Sequence, residues 1–575
     1  MTSSLTELHA HWRAHWPRAL ALWSDYARLS EPIWCLDRAC AKREGLTSSF
    51  AMIRLDDHAV VLNLPEIAAR NLGEFPLEVL GHEIGHHILC PADLTDQGRL
   101  LARVRRGLPG REAAAPLVAN LYADLLINDQ LQRRFELRFP EIYVRLGGSG
   151  RLWWLYLRIY EILWRLAPGS LGGKSLEDGE EGDAQLGARL VRVYARDWLR
   201  GAAGFAALCR PYLDEPQDAA GAGLAGWGDT AEAPAGEIPD GLIQEDGDEG
   251  DPVLHPAEDP ALNGERELAV ERSSRAARAQ DSGGKTRRRY RDLGEYGELL
   301  RAMGVRSKER DTAIRYYRER ARPYLIRFPA RVLPRVQEPM PEGLETWDWG
   351  RPAEEVDWLE SLTRAPLLIP GYTTLTRTWG QAPGEAQAEQ VVDLYLGIDC
   401  SGSMPAPTRT TSFAVLAGFI VSLSALRAGA RVMACLSGEP GKSKATDGFI
   451  RDQNLLFNLL VDYLGTGYSY GIQRLKEVKP KIRRGRRCHL LILTDTDIFS
   501  SLNSGDGWQV AQRAVKDAGG GATLLLASPA QYLTHFEPGI QRLEAMGWRV
   551  ARVPDWEGVV AFAREFARRT YEAKP

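Results

Sequence analysis

Cysteine is scarce in this chain of 575 residues. The seven present, Cys35, Cys40, Cys90, Cys209, Cys400, Cys435 and Cys488, are odd in number, scattered and without the C-x-x-C spacing of a zinc knuckle or a redox pair. That excludes a disulfide framework and fits a reducing cytosol. A strong charge of either sign is missing too. The 72 Lys and Arg against 76 Asp and Glu leave a net charge of -4, which argues against a dedicated nucleic-acid binder. The basic stretch RYYRERARPYLIRF from Arg315 reads instead as a solvated helix face. No apolar run is long enough to cross a bilayer, because LWWLYLRIYEILWRLA from Leu152 is broken by Arg158, Glu161 and Arg165 and reads as an amphipathic packing helix. The opening MTSSLTELHAHWRAHWPRAL carries histidine, arginine and glutamate where a signal peptide needs an apolar core, so no export is predicted and a cytoplasmic location is expected. A phosphate-binding loop is also lacking. GSLGGKS around Lys174 has Pro168, and GEPGKS at Lys442 has Leu436, where the first glycine is required, so the chain is not expected to hydrolyse nucleotide by itself.

What is present is ordinary globular composition, 44% hydrophobic and 26% charged, over a length that exceeds one core, so two or three domains are expected. Between 216 and 285 Asp, Glu, Ala, Gly and Pro dominate, which predicts an acidic, disordered linker. It follows a mostly helical part, 1–215, and precedes a helical connecting region, 286–385, in which Glu295 to Arg327 should be helical. In the first part SFAMIRL and HAVVLNL read as a strand pair running into the segment LEVLGHEIGHHIL. From 386 to 575 the apolar runs VVDLYLGI, ARVMACL, CHLLILT, ATLLLAS and WRVARVP alternate with amphipathic stretches, the pattern of a parallel sheet covered on both faces. The fold class expected is therefore α/β overall, a helical domain with a small sheet followed by a doubly wound domain.

Only ten histidines occur, and three of them lie in VLGHEIGHHILC. Pro76 suits the first turn of a helix there, and Pro91 stops it. Leu77, Leu80, Ile84 and Ile88 form an apolar stripe, and His82 and His86 lie about 200° round from it, because a helix turns about 100° per residue. Two imidazoles one turn apart suit a zinc ion, and Glu83, one step round, is placed to take a proton from water. A third ligand is expected from a second helix, about Arg111 to Phe135. There Asn120, Asp124 and Asn128 make one polar stripe among Leu117, Leu121, Leu125 and Ile127. A polar stripe in an apolar helix needs a partner, so Asp124 is assigned as the third ligand, with Asp129 a weaker candidate on the wrong face. A buried hydrogen-bonded stripe would give the same pattern. His87 reads as a supporting or surface residue; no residue is assigned to oxyanion stabilisation, and Tyr122 is one position to test.

The combination of His82, Glu83, His86, Asn120, Ala123, Asp124, Ile127 and Asn128 resembles a bacterial family that joins a gluzincin-like metallopeptidase domain to a von Willebrand A-like domain. The resemblance covers mainly residues 30 to 135 and the last 190. The later part opens with LYLGIDCSGSMPAP, in which Asp399, Ser401 and Ser403 follow an apolar strand, a place where doubly wound sheets bind ligands. A carboxylate and two hydroxyls suit magnesium, and the motif resembles the metal-ion-dependent adhesion site of von Willebrand A domains. That resemblance implies two further ligands, Thr466 in GTGYSYG, or Ser469 in a shifted register, and Asp495 in LLILTDTD. The loop departs from the usual G-G-T, and Thr496 stands where glycine is common. The family implies a Zn2+-dependent peptidase with a Mg2+-dependent docking module, a protein or peptide substrate, and a MoxR-type AAA+ ATPase as partner. The alternatives are a non-enzymatic adaptor or co-chaperone of such an ATPase with a structural zinc, and a chelatase-like subunit.

Overall fold

In a computed structural model of the chain the described residues are 2–46, 49–174, 176–213, 238–247, 249–262, 290–326, 328, 330–332, 337–383, 389–402, 404–439, 442–467, 470–528, 530–553 and parts of 558–566. The chain forms two compact units, Met1–Glu319 with Thr408–Thr411, and Arg320–Pro407 with Ser412–Pro575.

The first unit is helical around a small sheet. It runs α1 (Thr2–Ala21), β1 (Ile33–Cys35), α2 (Arg38–Arg43), β2 (Ala51–Ile53), β3 (Val60–Asn63), α3 (Leu64–Ala69), α4 (Pro76–Ile88), α5 (Leu94–Gly107), α6 (Ala115–Phe135), α7 (Phe139–Leu146), α8 (Arg151–Trp164), α9 (Asp178–Val193) and α10 (Trp198–Cys209). The expected strand pair is β2 and β3, antiparallel, and β1 adds to β3 in parallel. The histidine helix does not follow the strands directly. Asn63 caps α3, its Oδ1 accepting from the Glu66 amide at 3.3 Å, and α3 lies between β3 and α4.

The expected stripe on α4 is only half right, because Leu80 and Ile84 are buried but Ile88 is 40% exposed. The supposed outward face is buried as well, with Glu78, Gly81, His82, Glu83, Gly85 and His86 all inside. The reason is position, since α4 is packed between α1 and α6. Two glycines allow that approach. A Cβ on Gly85 would lie 2.5 Å from Ile127 Cγ2 of α6 and 2.6 Å from the Trp23 ring, and Trp23 Nε1 donates to the Gly81 carbonyl at 2.7 Å.

Part of the stretch read as a disordered linker packs against this unit. Leu242, Ile243, Glu249 and Leu262 are buried. Glu249 forms a bidentate pair with the buried Arg291, and Tyr194 donates to Asp259 at 2.6 Å. Apolar anchors and paired charges inside an acidic sequence give this segment a place. The rest of the expected linker, residues 216–237, 248 and 263–285, lies outside the described residues. The region expected to be helical, 286–385, is so only in part: Leu293–Ala302 and Glu309–Ala321 are helices, with Gly304 at φ +78° between them, but beyond Ala321 the one further α-helix among the described residues is Trp358–Arg364, and Ala330–Val332, Gln337–Thr346 and Leu375–Pro383 are strands.

The second unit contains two antiparallel pairs outside its main sheet. These are β4 (Ala330–Val332) with β7 (Glu389–Val391), and β5 (Gln337–Thr346) with β6 (Leu375–Pro383). Its main sheet is β8 (Asp393–Asp399), β9 (Val432–Glu439), β10 (Lys442–Ala445), β11 (Cys488–Thr494), β12 (Gly519–Ala527) and β13 (Trp548–Val553), in the order β10-β9-β8-β11-β12-β13. All five apolar runs picked out in the sequence are strands of this sheet. They pair in parallel, and β10 is an added antiparallel edge strand. Every residue of β8 and β11 is buried, because alternate side chains meet helices on opposite faces. Leu396 and Ile398 face the helix Phe413–Arg427, while Tyr395, Leu490 and Ile492 join the core beneath the helix Gly507–Ala518. The chain is thus mixed α/β. Among the described residues no helix is long and apolar enough to cross a membrane.

Gly85→Ala places a methyl group against Ile127 and Trp23. It should cost about 1–3 kcal/mol of unit stability by overpacking and lower metal binding with it, as read by denaturant melts and elemental analysis of the same preparation.

Candidate metal centre

The two innermost helices bring three donors together. His82 Nε2 and His86 Nε2 are 3.3 Å apart, and each is 3.6 Å from Asp124 Oδ1. Among the described residues this is the one group of three or more His, Cys, Asp or Glu side chains close enough to hold a metal ion. Four donors set about 2.0–2.1 Å from a tetrahedral ion stand about 3.3–3.4 Å from each other, so the triangle matches one face of such a tetrahedron.

The orientation of each donor follows from its other contacts. The Cys90 carbonyl can only accept, so His86 Nδ1, 3.0 Å away, carries its hydrogen. Asn128 directs its amide nitrogen to the hydroxyls of Tyr143 at 2.9 Å and Tyr160 at 3.0 Å, which turns its Oδ1 to accept from His82 Nδ1 at 2.8 Å. With Nδ1 of each ring so engaged, both Nε2 atoms face the Asp124 carboxylate. The other oxygen of Asp124 accepts from Asn120 Nδ2 at 3.1 Å. The stripe read from the sequence is therefore a working ladder. Asn120 orients the carboxylate, Asp124 presents it, and Asn128 orients a histidine.

Two imidazole nitrogens and a carboxylate oxygen converging in a buried place are the donor set a cation would join. The triad could hold a metal ion, because donor types, spacing and tautomers all fit one. Beside the triad lies a cavity of about 40 Å³, lined by Phe50, His82, Glu83, Asp124, Tyr143 and their neighbours. That is room for a water-sized group. Glu83 is 1% exposed and shares this cavity with the ligands, on the side expected from its place in the helix.

The remaining expectations separate clearly. Asp129 is buried but turned away, forming an ion pair with Arg133 at 2.9 Å, and burial raises its carboxyl pKa despite that partner. His87 packs against His58 with ring centroids 4.1 Å apart and planes tilted by 42°, and burial followed by the neighbouring imidazole lowers its pKa. Tyr122 does not line the cavity. Its hydroxyl donates to the Trp198 carbonyl at 2.9 Å, on the side of α6 packed against α10. The tyrosine at the cavity is Tyr143, which sequence reasoning missed. Its hydroxyl joins those of Tyr156 at 3.2 Å and Tyr160 at 3.0 Å, and burial pushes all three phenols up, so they stay protonated. The only available signal was the pair of tyrosines four apart in the apolar helix LWWLYLRIY, a polar stripe like that of α6.

In the second unit the chain order reverses direction between β8 and β11, and the carboxyl ends of these two strands lie side by side. Asp399 ends β8. Its Oδ1 accepts from the Ser401 amide at 3.0 Å, and its Oδ2 accepts from Thr494 Oγ1 at 2.7 Å and the Tyr470 amide at 3.2 Å. Burial raises its carboxyl pKa, with these hydrogen bonds opposing. Ser401 forms a parallel bridge with Thr466, and the Gly402 amide donates to the Thr466 carbonyl at 2.5 Å. The register thus sets Thr466 beside Ser401. Asp495 follows the last residue of β11, its Oδ1 accepting from the Asp497 amide at 2.9 Å. Ser403 and Ser469 lie outside the described residues.

Fold and site together define a helical body with a buried His-His-Asp cluster, in one chain with a six-stranded mixed sheet bearing an acid-and-hydroxyl loop at its switch point. No protein-family model matches the chain, and no curated protein gives a significant match to it.

Asn128→Ala removes the acceptor that fixes the His82 tautomer while leaving all three ligands in place. Metal affinity should fall about 10–100-fold in competition with a chromogenic chelator.

Proposed function

We propose that the first unit is a zinc-dependent hydrolase of peptide bonds and the second a magnesium-dependent docking domain of von Willebrand A type, working beside a MoxR-type AAA+ ATPase. The observation that carries the hydrolytic reading is the inward turn of His82 Nε2 and His86 Nε2 toward Asp124, with Glu83 on the same cavity. Two imidazoles and one carboxylate suit zinc, and three protein ligands are the number found in catalytic sites, where structural zinc takes four. A zinc ion held there supplies Lewis acidity to a substrate carbonyl and lowers the pKa of its water. Glu83 is the general base. Its carboxylate takes a proton from the attacking water and returns it to the departing amine. The orienting groups, Asn128, Asn120 and the Cys90 carbonyl, hold the donors in register throughout.

In the docking domain the proposed magnesium ligands are Asp399, Ser401, Ser403, Thr466 and Asp495. Hard oxygen donors at the ends of adjacent parallel strands support that assignment, and an open coordination position would take a carboxylate from a partner. Asp399→Ala should abolish magnesium-dependent retention of the ATPase on immobilised chain, and chelation of the wild type should match it.

A second reading has an observation of its own. The space beside the triad that accepts water-sized groups is only about 40 Å³, and a site this narrow favours an adaptor or co-chaperone whose zinc is structural. On the hydrolytic reading a peptide is admitted past Phe139, Ile142, Tyr143 and Leu146 of α7, which line one side of the cavity, and the ATPase is proposed to drive the shift of α7 that widens it.

Glu83→Gln separates the two main readings. It should keep near one metal ion per chain by elemental analysis and lower peptide hydrolysis about 10²–10⁴-fold. A wild-type protein that cleaves nothing in the presence of the ATPase leaves the adaptor reading standing.

A further inference from the structure

Far apart in function from the histidines, two cysteines that lack any recognised spacing meet in space. Cys35 ends β1, opposite Asn63 of β3, and is fully buried. Cys40 lies in the first turn of α2, where its amide is held by the capping carboxylate of Asp37 at 2.7 Å, and it is only partly buried. Their Sγ atoms are 2.7 Å apart. That is well inside the ordinary contact of two sulfurs, and roughly 0.65 Å longer than a disulfide bond of about 2.05 Å. The cap of α2 and the parallel pairing of β1 fix both backbones, while Ala41, Leu46, Met52 and Val61 pack around the pair.

We propose that Cys35 and Cys40 are a thiol–disulfide couple, a site of reversible oxidation in the first unit that is separate from the metal centre. The oxidant is a low-molecular-weight disulfide such as oxidised glutathione. Cys40, the accessible member, attacks one sulfur of it as the thiolate. A mixed disulfide forms, and one glutathione departs as a thiolate that takes up a proton. Cys35 then attacks Cys40 Sγ, the Sγ–Sγ bond forms, and the second glutathione leaves with the Cys35 proton. The two protein thiols have lost two electrons and two protons, and the oxidant has become two thiols. Burial, followed by the hydrogen bond to Cys40, pushes the Cys35 thiol up to about 12, which gives Cys40 the attacking role and Cys35 the resolving one. Proximity favours closure over a lasting adduct, because the second thiol is already within reach of the first.

The test uses the full chain equilibrated in glutathione buffers of stepped ratio, quenched with an alkylating agent and mapped by mass. The expected result is a 35–40 cross-link lighter than the reduced peptide by two hydrogens, reversed by excess reduced glutathione. The five other cysteines, all buried, are the internal reference and should be alkylated only after denaturation in both samples. In Cys40→Ser, Cys35 should remain reduced at every ratio. Alkylation of both thiols at all ratios, or Cys40 accumulating as a glutathione adduct without closure, overturns the proposal. The wild-type measurement stands even if the variant fails to fold.

Discussion

The first unit depends on the contact between α4 and α6. Each helix carries polar groups on a face that ordinary amphipathic packing would give to water, and each buries that face against the other. The contact is close because Gly85 has no side chain where Ile127 and Trp23 stand. Without it the carboxylate of Asp124 would stand back from the imidazoles, and the buried polar stripe would lack its purpose. The buried polar groups are tolerable because nearly all are tied into a chain of hydrogen bonds, from Asn120 through Asp124 and from His82 through Asn128 to three tyrosine hydroxyls.

How much of this was legible in the sequence depends on how local each signal was. The spacing of His82 and His86 and the four-residue repeat of Asn120, Asp124 and Asn128 are properties of single helices, so both stripes could be read and correctly matched. The strands of the large sheet were legible for the same reason, each being an uninterrupted apolar run buried on two faces. What depends on the approach of distant segments was not legible. Tyr143 reaches the cavity from a short helix after a turn, Tyr122 points the other way on a helix buried nearly all round, and Ile88 escapes burial where α4 ends. Composition also misled between 238 and 262, where acidic residues suggested a solvated linker. A few apolar anchors and the bidentate Glu249–Arg291 pair outweigh that average.

The two units place chemistry by different means. The sheet of the second unit works through topology, because reversal of strand order at β8 and β11 opens a crevice at their carboxyl ends, and short loops suffice to furnish it with oxygen donors. The helical unit works through side-chain register along two helices, which demands closer packing but yields a drier site with softer nitrogen ligands. Each device suits the ion proposed for it: an ion that keeps its waters on an open rim, and one that exchanges them for imidazole inside.

The burial of α4 on all sides also governs exchange kinetics. A ligand helix on the surface can fray and release its ion by local opening, but the donors of α4 and α6 sit on the most enclosed elements of the unit, where opening approaches the cost of global unfolding. His86 is 0% exposed, and of the two histidines only His82 retains any exposure. Any ion held by the triad would therefore be approached from the cavity that His82 and the apolar side chains of α7 line.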